Sequence, residues 1–269
     1  GFEYNVGVNM STIRNRMTKL NGGTPISDGP FRNGSMYLTY TNEGMPIGAF
    51  WGYKTDGLIQ TQEQLNAVKR ADFQPNAELG DVLFVDTNGD GKLDSSDRCM
   101  IGNPIPDIIY GINMGMAWKG FDLNLQFGGT IGNQIFNAMR YYTYFPNDIT
   151  NKDRALMNYW TPNNTNTDIP RLTATDVNDN DRFSDMYVEN GTYFRLRNAQ
   201  LGYTLPASLT QRIKLQKVRF YVSGQNLFTI SSYSGMDPEV GQSSSLSRGI
   251  DYGIYPQNIS FTGGINVTF

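Results

Sequence analysis

Residues 112–127 read INMGMAWKGFDLNLQF. Ile112, Met114, Met116 and Trp118 alternate with Asn113, Gly115, Ala117 and Lys119; beyond Lys119-Gly120, Phe121, Leu123, Leu125 and Phe127 alternate with Asp122, Asn124, Gln126 and Gly128. A period of two puts each set on its own face of a pleated strand. Two such runs joined by two residues ending in Gly read as a β-hairpin. The same rhythm recurs in Tyr4, Val6, Val8 and Met10 and in Val218, Phe220 and Val222. It is cleanest in Ile259, Phe261, Gly263, Ile265, Val267 and Phe269, which alternate with Asn258, Ser260, Thr262, Gly264, Asn266 and Thr268.

Extended to the whole chain, the pattern predicts about eight strands, over residues 2–12, 35–42, 47–60, 108–118, 121–131, 191–204, 217–229 and 257–269. A soluble antiparallel sandwich with one wet face per sheet would alternate in the same way. Three features favour a membrane wall. Runs of about ten residues match a tilted strand crossing lipid, against about five or six in globular sheets. Aromatics stand at apolar strand ends, with Trp118 and Phe121 flanking the turn and Tyr203 before Leu205-Pro206, as in girdles at a lipid boundary. The last run also finishes on Phe269, expected to be the true carboxy terminus, while the start at Gly1 without initiator Met or leader suggests a piece of a larger protein.

Composition removes other classes. No run approaches the roughly eighteen apolar residues of a membrane helix. A mean hydropathy of -0.44 fits a soluble β-rich protein and a transmembrane barrel, which keeps half of each strand polar, equally well. A net charge of -3 without a basic stripe argues against a nucleic-acid partner. The chain has no histidine, so it lacks the commonest general base and transition-metal ligand. The single cysteine, Cys99, is expected to be structural. The prediction is a protein that is not an enzyme; a hydrolase built on Asp176, Asp179, Asp181 and Asp185 is a remote reading beside a solvated acidic loop.

Residues 60–102 and 133–190 exceed ordinary connections and are predicted to be extracellular loops. The second holds a predicted short helix over 152–160. Within the first, residues 86–97 read DTNGDGKLDSSD, the spacing of an EF-hand-type calcium loop. Asp86, Asn88, Asp90, Asp94 and Asp97 offer side-chain oxygens and Lys92 its carbonyl. Gly91 takes the sharp-turn position and Leu93 can pack inward. Asp97 replaces the longer Glu usual at the twelfth position, so the loop must close more tightly or coordinate less fully. The predicted role of the calcium is structural, with an ordinary acidic turn as the alternative.

Several stretches, in order, resemble one family: GMPIGAFWGYKTDGLIQ (44–60), the run from GDVLF to QIFN (80–137), NGTYFRLRNAQLGYTLP (190–206), VRFYVSGQNLFTISSYSGMDPEV (218–240) and NISFTGGINVTF (258–269). The chain, 1–269, resembles the carboxy-terminal barrel portion of the SusC/RagA family of TonB-dependent outer-membrane transporters of the Bacteroidota. The resemblance implies an all-β fold: an antiparallel transmembrane β-barrel segment belonging to a larger, plugged barrel of about 22 strands. It also implies energy-coupled import of oligosaccharides or peptides across the outer membrane. The implied partners are a SusD-like surface lipoprotein, the TonB complex acting through an amino-terminal part absent here, the rest of the barrel and plug, and lipid. Candidate substrate contacts are Tyr141, Tyr142, Tyr144 and Trp160, which loop packing would explain equally. The alternative is a soluble calcium-binding β-sandwich, an adhesion or carbohydrate-binding module.

Overall fold

The computed structural model describes residues 1–269 except 33, 35, 146–150, 242 and 243, and the side chain of 213. Its strands are β1 (Glu3–Thr12), β2 (Ile26–Phe31), β3 (Met36–Thr41), β4 (Ala49–Gly52), β5 (Thr55–Leu58), β6 (Val82–Phe84), β7 (Cys99–Gly102), β8 (Ile108–Trp118), β9 (Phe121–Ile131), β10 (Gln134–Asn137), β11 (Val188–Asn190), β12 (Tyr193–Thr204), β13 (Lys217–Ser231), β14 (Ile250–Asp251) and β15 (Ser260–Thr268). Among the described residues three α-helices, α1 (Gln62–Arg70), α2 (Ala138–Tyr144) and the single turn α3 (Ala207–Thr210), lie between them.

The long strands form one sheet in the order β1-β8-β9-β12-β13-β15, antiparallel throughout. Lys119 and Gly120, at φ 47° and 86°, make the β8–β9 turn with both central residues left-handed, which matches the twist of the paired strands. A bulge at Arg197 interrupts β12.

Connections divide by length between the two ends of this sheet. At one end lie Lys119-Gly120 and residues 205–216; from the other leave residues 13–107, 132–192 and 232–259. The three long connections fold together into a cap. Strands β2-β3-β4-β7 make a four-stranded sheet, β10 joins β11 on one side and, in parallel, β14 on the other, and β5 pairs with β6. The main cap core draws on all three connections: Phe31, Leu38 and Phe50 from the first, Phe136, Tyr141, Phe183 and Tyr187 from the second, and Ile250 from the third.

Polar side chains complete what the short cap strands leave open. Gln74 donates to the Val82 carbonyl and accepts from the Phe84 amide, and Asn180 accepts from the Val82 amide, so β6 is satisfied along its outer edge. Helix α1 starts on a capping box, with the Thr61 side chain and Gln64 each bonding the other's backbone amide. Arg195, 2% exposed, bonds Asp237 at 2.5 Å and Glu239 at 2.9 Å, which clasps the third connection to the sheet.

Two expectations need correction. Residues 36–41 and 49–58 are extended, but they supply β3, β4 and β5 to the cap, so the wall holds six of the anticipated eight strands; residue 35 of that expectation lies outside the described residues. Both runs carry buried apolar residues, Leu38 and Phe50, that face the cap core instead of lipid. The helix expected over 152–160 is one 3-10 turn, Arg154–Asn158, started by the Asp153 side chain on the Ala155 amide.

Candidate functional site

Register lines up the six wall strands in rows. One row runs Tyr4, Met116, Leu123, Leu201, Val222 and Gly263; the next runs Val6, Met114, Leu125, Ala199, Gly224 and Phe261. The row nearest the short turn holds Trp118, Phe121, Tyr203, Phe220 and Ile265. On the other face the rows are Asn5, Gly115, Asn124, Gln200, Ser223 and Thr262, then Gly7, Asn113, Gln126, Asn198, Gln225 and Ser260. One face is thus apolar from strand to strand and the other is amide and hydroxyl.

Among the described residues no second sheet covers the apolar face. Val8 is 70% exposed, Val222 61%, Phe261 78% and Ile265 61%. Burying one such side chain is worth about 1.5–3 kcal/mol, so a face of this extent facing water would be costly many times over. Among the described residues no helix is long and apolar enough to cross a membrane, which has no bearing on a wall of strands. Strands β1 and β15 are the sheet's edges, and an open edge is not tolerated in lipid.

The acidic loop sits in the cap. Gly89 and Gly91 hold φ of 77° and 78°, and their amides donate to the two oxygens of Asp86 at 2.6 and 2.8 Å. Asn88, Asp90 and Asp94 each accept an amide two residues on, from Asp90, Lys92 and Ser96. Asp97, fully buried, closes the loop by accepting from the Thr87 and Asp94 amides at 3.0 Å each. Leu93 packs beside the small cluster of Leu58, Phe73, Val82, Phe84 and Trp160. The amide bonds, that of Gly91 foremost, hold the Asp86 carboxyl below its ordinary range, and the Ser96 hydroxyl does the same for Asp94. Among the described residues no three acidic side chains are gathered as a finished metal cage.

The four aromatic candidates separate. Tyr141 is 4% exposed; its ring lies edge-on to Phe31, its hydroxyl donates to Asp181, and burial pushes its phenol well up. Trp160 is 6% exposed, packs over the backbone of Gly80 and donates from Nε1 to Gln60. Both are core residues with little ring surface to offer a substrate. Tyr142 and Tyr144 are half-buried, the latter with the Arg140 guanidinium 4.7 Å from its ring centre. Cys99 is half-buried in β7, and burial raises its thiol.

A wall of two-faced antiparallel strands, with every long connection gathered in a cap at one end, defines a segment of a transmembrane β-barrel. No family model matches the chain. Over its whole length it is 36% identical to TonB-dependent receptor P3 of Formosa agariphila and 27% identical to TonB-dependent receptor SusC of Bacteroides thetaiotaomicron, covering 27% and 24% of those proteins. The solved structure of the RagAB peptide transporter matches with a TM-score of 0.74 at 24% identity, over all of this chain and 27% of that one. The chain is homologous to a part of TonB-dependent receptors, SusC among them, and shares its fold with the corresponding part of the RagAB structure. It spans about a quarter of the length of the curated relatives it matches.

Proposed function

We propose that the chain forms part of the wall and the extracellular cap of an outer-membrane importer that takes up oligosaccharides or peptides with TonB-coupled energy. The observation that carries this reading is the uncovered apolar face, continuous across six strands and backed by a polar face. The asymmetry of connections supports the orientation, since such barrels have short periplasmic turns and long extracellular loops. The two open edges call for further barrel strands. Plug and coupling segments would lie outside these 269 residues, and a SusD-like lipoprotein would close over the cap. A soluble sandwich is the poorer reading, because it would bury the apolar rows between two sheets.

Within the cap, residues 86–97 are proposed to hold one structural calcium ion through Asp86, Asn88, Asp90, Asp94, Asp97 and the Lys92 carbonyl. Left-handed glycines and an inward Leu93 fit such a loop. Carboxylate oxygens that accept one amide keep further lone pairs for a cation. The ion would tie a long connection to its buried end at Asp97.

The test is fractionation of the full-length protein in its own cell, with growth of a deletion strain on defined oligosaccharides and peptides. Recovery in the outer membrane with heat-modifiable gel mobility, and loss of growth on one nutrient class, is expected. Recovery in the soluble fraction would overturn the proposal.

A further inference from the structure

A cleft in the cap, about 620 Å³, opens on the four-stranded sheet and is lined by none of the residues discussed as substrate contacts. Its floor is a stacked pair: the rings of Tyr40 and Trp51 lie 4.5 Å apart between centres at 25°. Tyr37, 46% exposed, stands at the rim. Arg98, which also lines the cleft, anchors this floor by donating to the carbonyls of Tyr37 at 3.2 Å and Trp51 at 3.0 Å. Also lining the cleft, Arg182 pairs with Asp179 at 2.9 Å, and its buried Nε has no hydrogen-bond partner among the described residues.

Volume, aromatic floor and a few convergent polar groups are the marks of a small-molecule site. The floor lies across β3 and β4, interior strands of the four-stranded sheet, and beyond their two-residue ladder Arg98 occupies the Tyr37 and Trp51 carbonyls, so a peptide finds no open strand edge there to pair with. A ligand must therefore be recognised through side chains. A pyranose ring with one apolar face and a rim of hydroxyls suits that chemistry: it would pack against the Tyr40–Trp51 stack while arginine donates and aspartate accepts around it.

We propose that the cleft bounded by Tyr37, Tyr40, Trp51, Arg98, Asp179 and Arg182 binds a sugar unit of an oligosaccharide. This deepens the import reading, on which it rests for its use, by selecting the saccharide class. Because the floor is already stacked and anchored, binding orders few side chains.

The experiment uses the full-length protein in detergent, first shown by fractionation and heat-modifiable mobility to be a membrane barrel, so that failure of the import reading is seen separately. Neutral oligosaccharides are screened on a glycan array, hits are titrated by calorimetry, and a defined peptide mixture is tested as competitor. Trp51→Ala and the rim variant Tyr37→Ala should each weaken the best glycan at least tenfold; Tyr255→Ala, an exposed tyrosine outside the cleft, should bind as the parent does. The rim variant keeps the test valid should Trp51→Ala misfold. Absence of glycan binding at millimolar concentration overturns the proposal. So does a glycan that binds both variants as it binds the parent, or binding of peptides in place of glycans with the same dependence on Tyr37.

Discussion

Arg219 of β13 reaches across β12 to Asp122 of β9, with Nε 2.9 Å and Nη2 2.5 Å from the two carboxylate oxygens. The strand between offers no obstacle because Gly202 lies beneath: a Cβ there would stand 2.4 Å from Nη2. A glycine on the polar face thus licenses a two-point ion pair between strands that are not neighbours.

The first prediction follows from this crossing. Gly202→Ala should push the guanidinium aside and cost about 1 kcal/mol or less, as Arg219→Gln should, since the pair is only partly sheltered. The double variant should add almost nothing to either single change. Thermal unfolding of the full-length protein in detergent checks it; additive losses would mean the glycine and the ion pair are unrelated.

The two faces should differ sharply in their tolerance of charge. Leu125→Arg, in a middle apolar row, should cost about 2–4 kcal/mol and reduce assembled barrel, whereas Gln126→Arg on the polar face should assemble nearly as the parent does. Heat-modifiable mobility and outer-membrane abundance of the two variants supply the comparison.

Trp160 should prove to be a cap core residue. Trp160→Ala should destabilise the cap by about 3–5 kcal/mol. Gly80→Ala should act in the same direction, because its Cβ would lie 2.2 Å from the indole and its φ is +86°. Faster proteolysis of the cap, with transmembrane strands still protected, is the expected result; an intact cap with weakened ligand binding would restore Trp160 as a substrate contact.

For the acidic loop, Asp86→Ala combined with Asp90→Ala should abolish calcium binding and speed proteolysis at residues 86–97 without preventing barrel assembly. Calorimetry with calcium on the parent and variant decides whether the loop holds the ion. The folded carboxyls of Asp86 and Asp94 titrate below the ordinary 3.8, so their contribution to loop closure is fully present above that value and is lost as pH falls through their lower folded values. Amide exchange at Gly91, corrected for intrinsic rate, should therefore stay slow down to about pH 4 and rise only below it.

What could be read from sequence followed from period. Strands β8 and β9 and their turn lie where the alternation of residues 112–127 puts them, and β12, β13 and β15 begin or end within a few residues of expectation. Period alone does not say which sheet a strand joins. Residues 36–41 and 49–58 alternate too, yet Leu38 and Phe50 meet Tyr141 and Ile250 in a core assembled from three distant connections, and no local pattern reports such meetings. Helix α1 was not expected within 60–102: its capping box, Thr61 and Gln64, heads an apolar stripe too short to stand out in a polar segment. The cleft was hidden for the same reason as the core: Tyr40, Trp51 and Arg182 come together only when the connections fold.

Nitroxide labels along β15 of the full-length protein in bilayers report whether one sheet face meets lipid and the other does not. Labels at Phe261, Ile265 and Val267 should be relaxed strongly by oxygen and weakly by a water-soluble nickel chelate. Labels at Asn266 and Thr268 should show less oxygen and more chelate contact. Equal chelate accessibility at both sets would mean that the apolar face does not meet lipid.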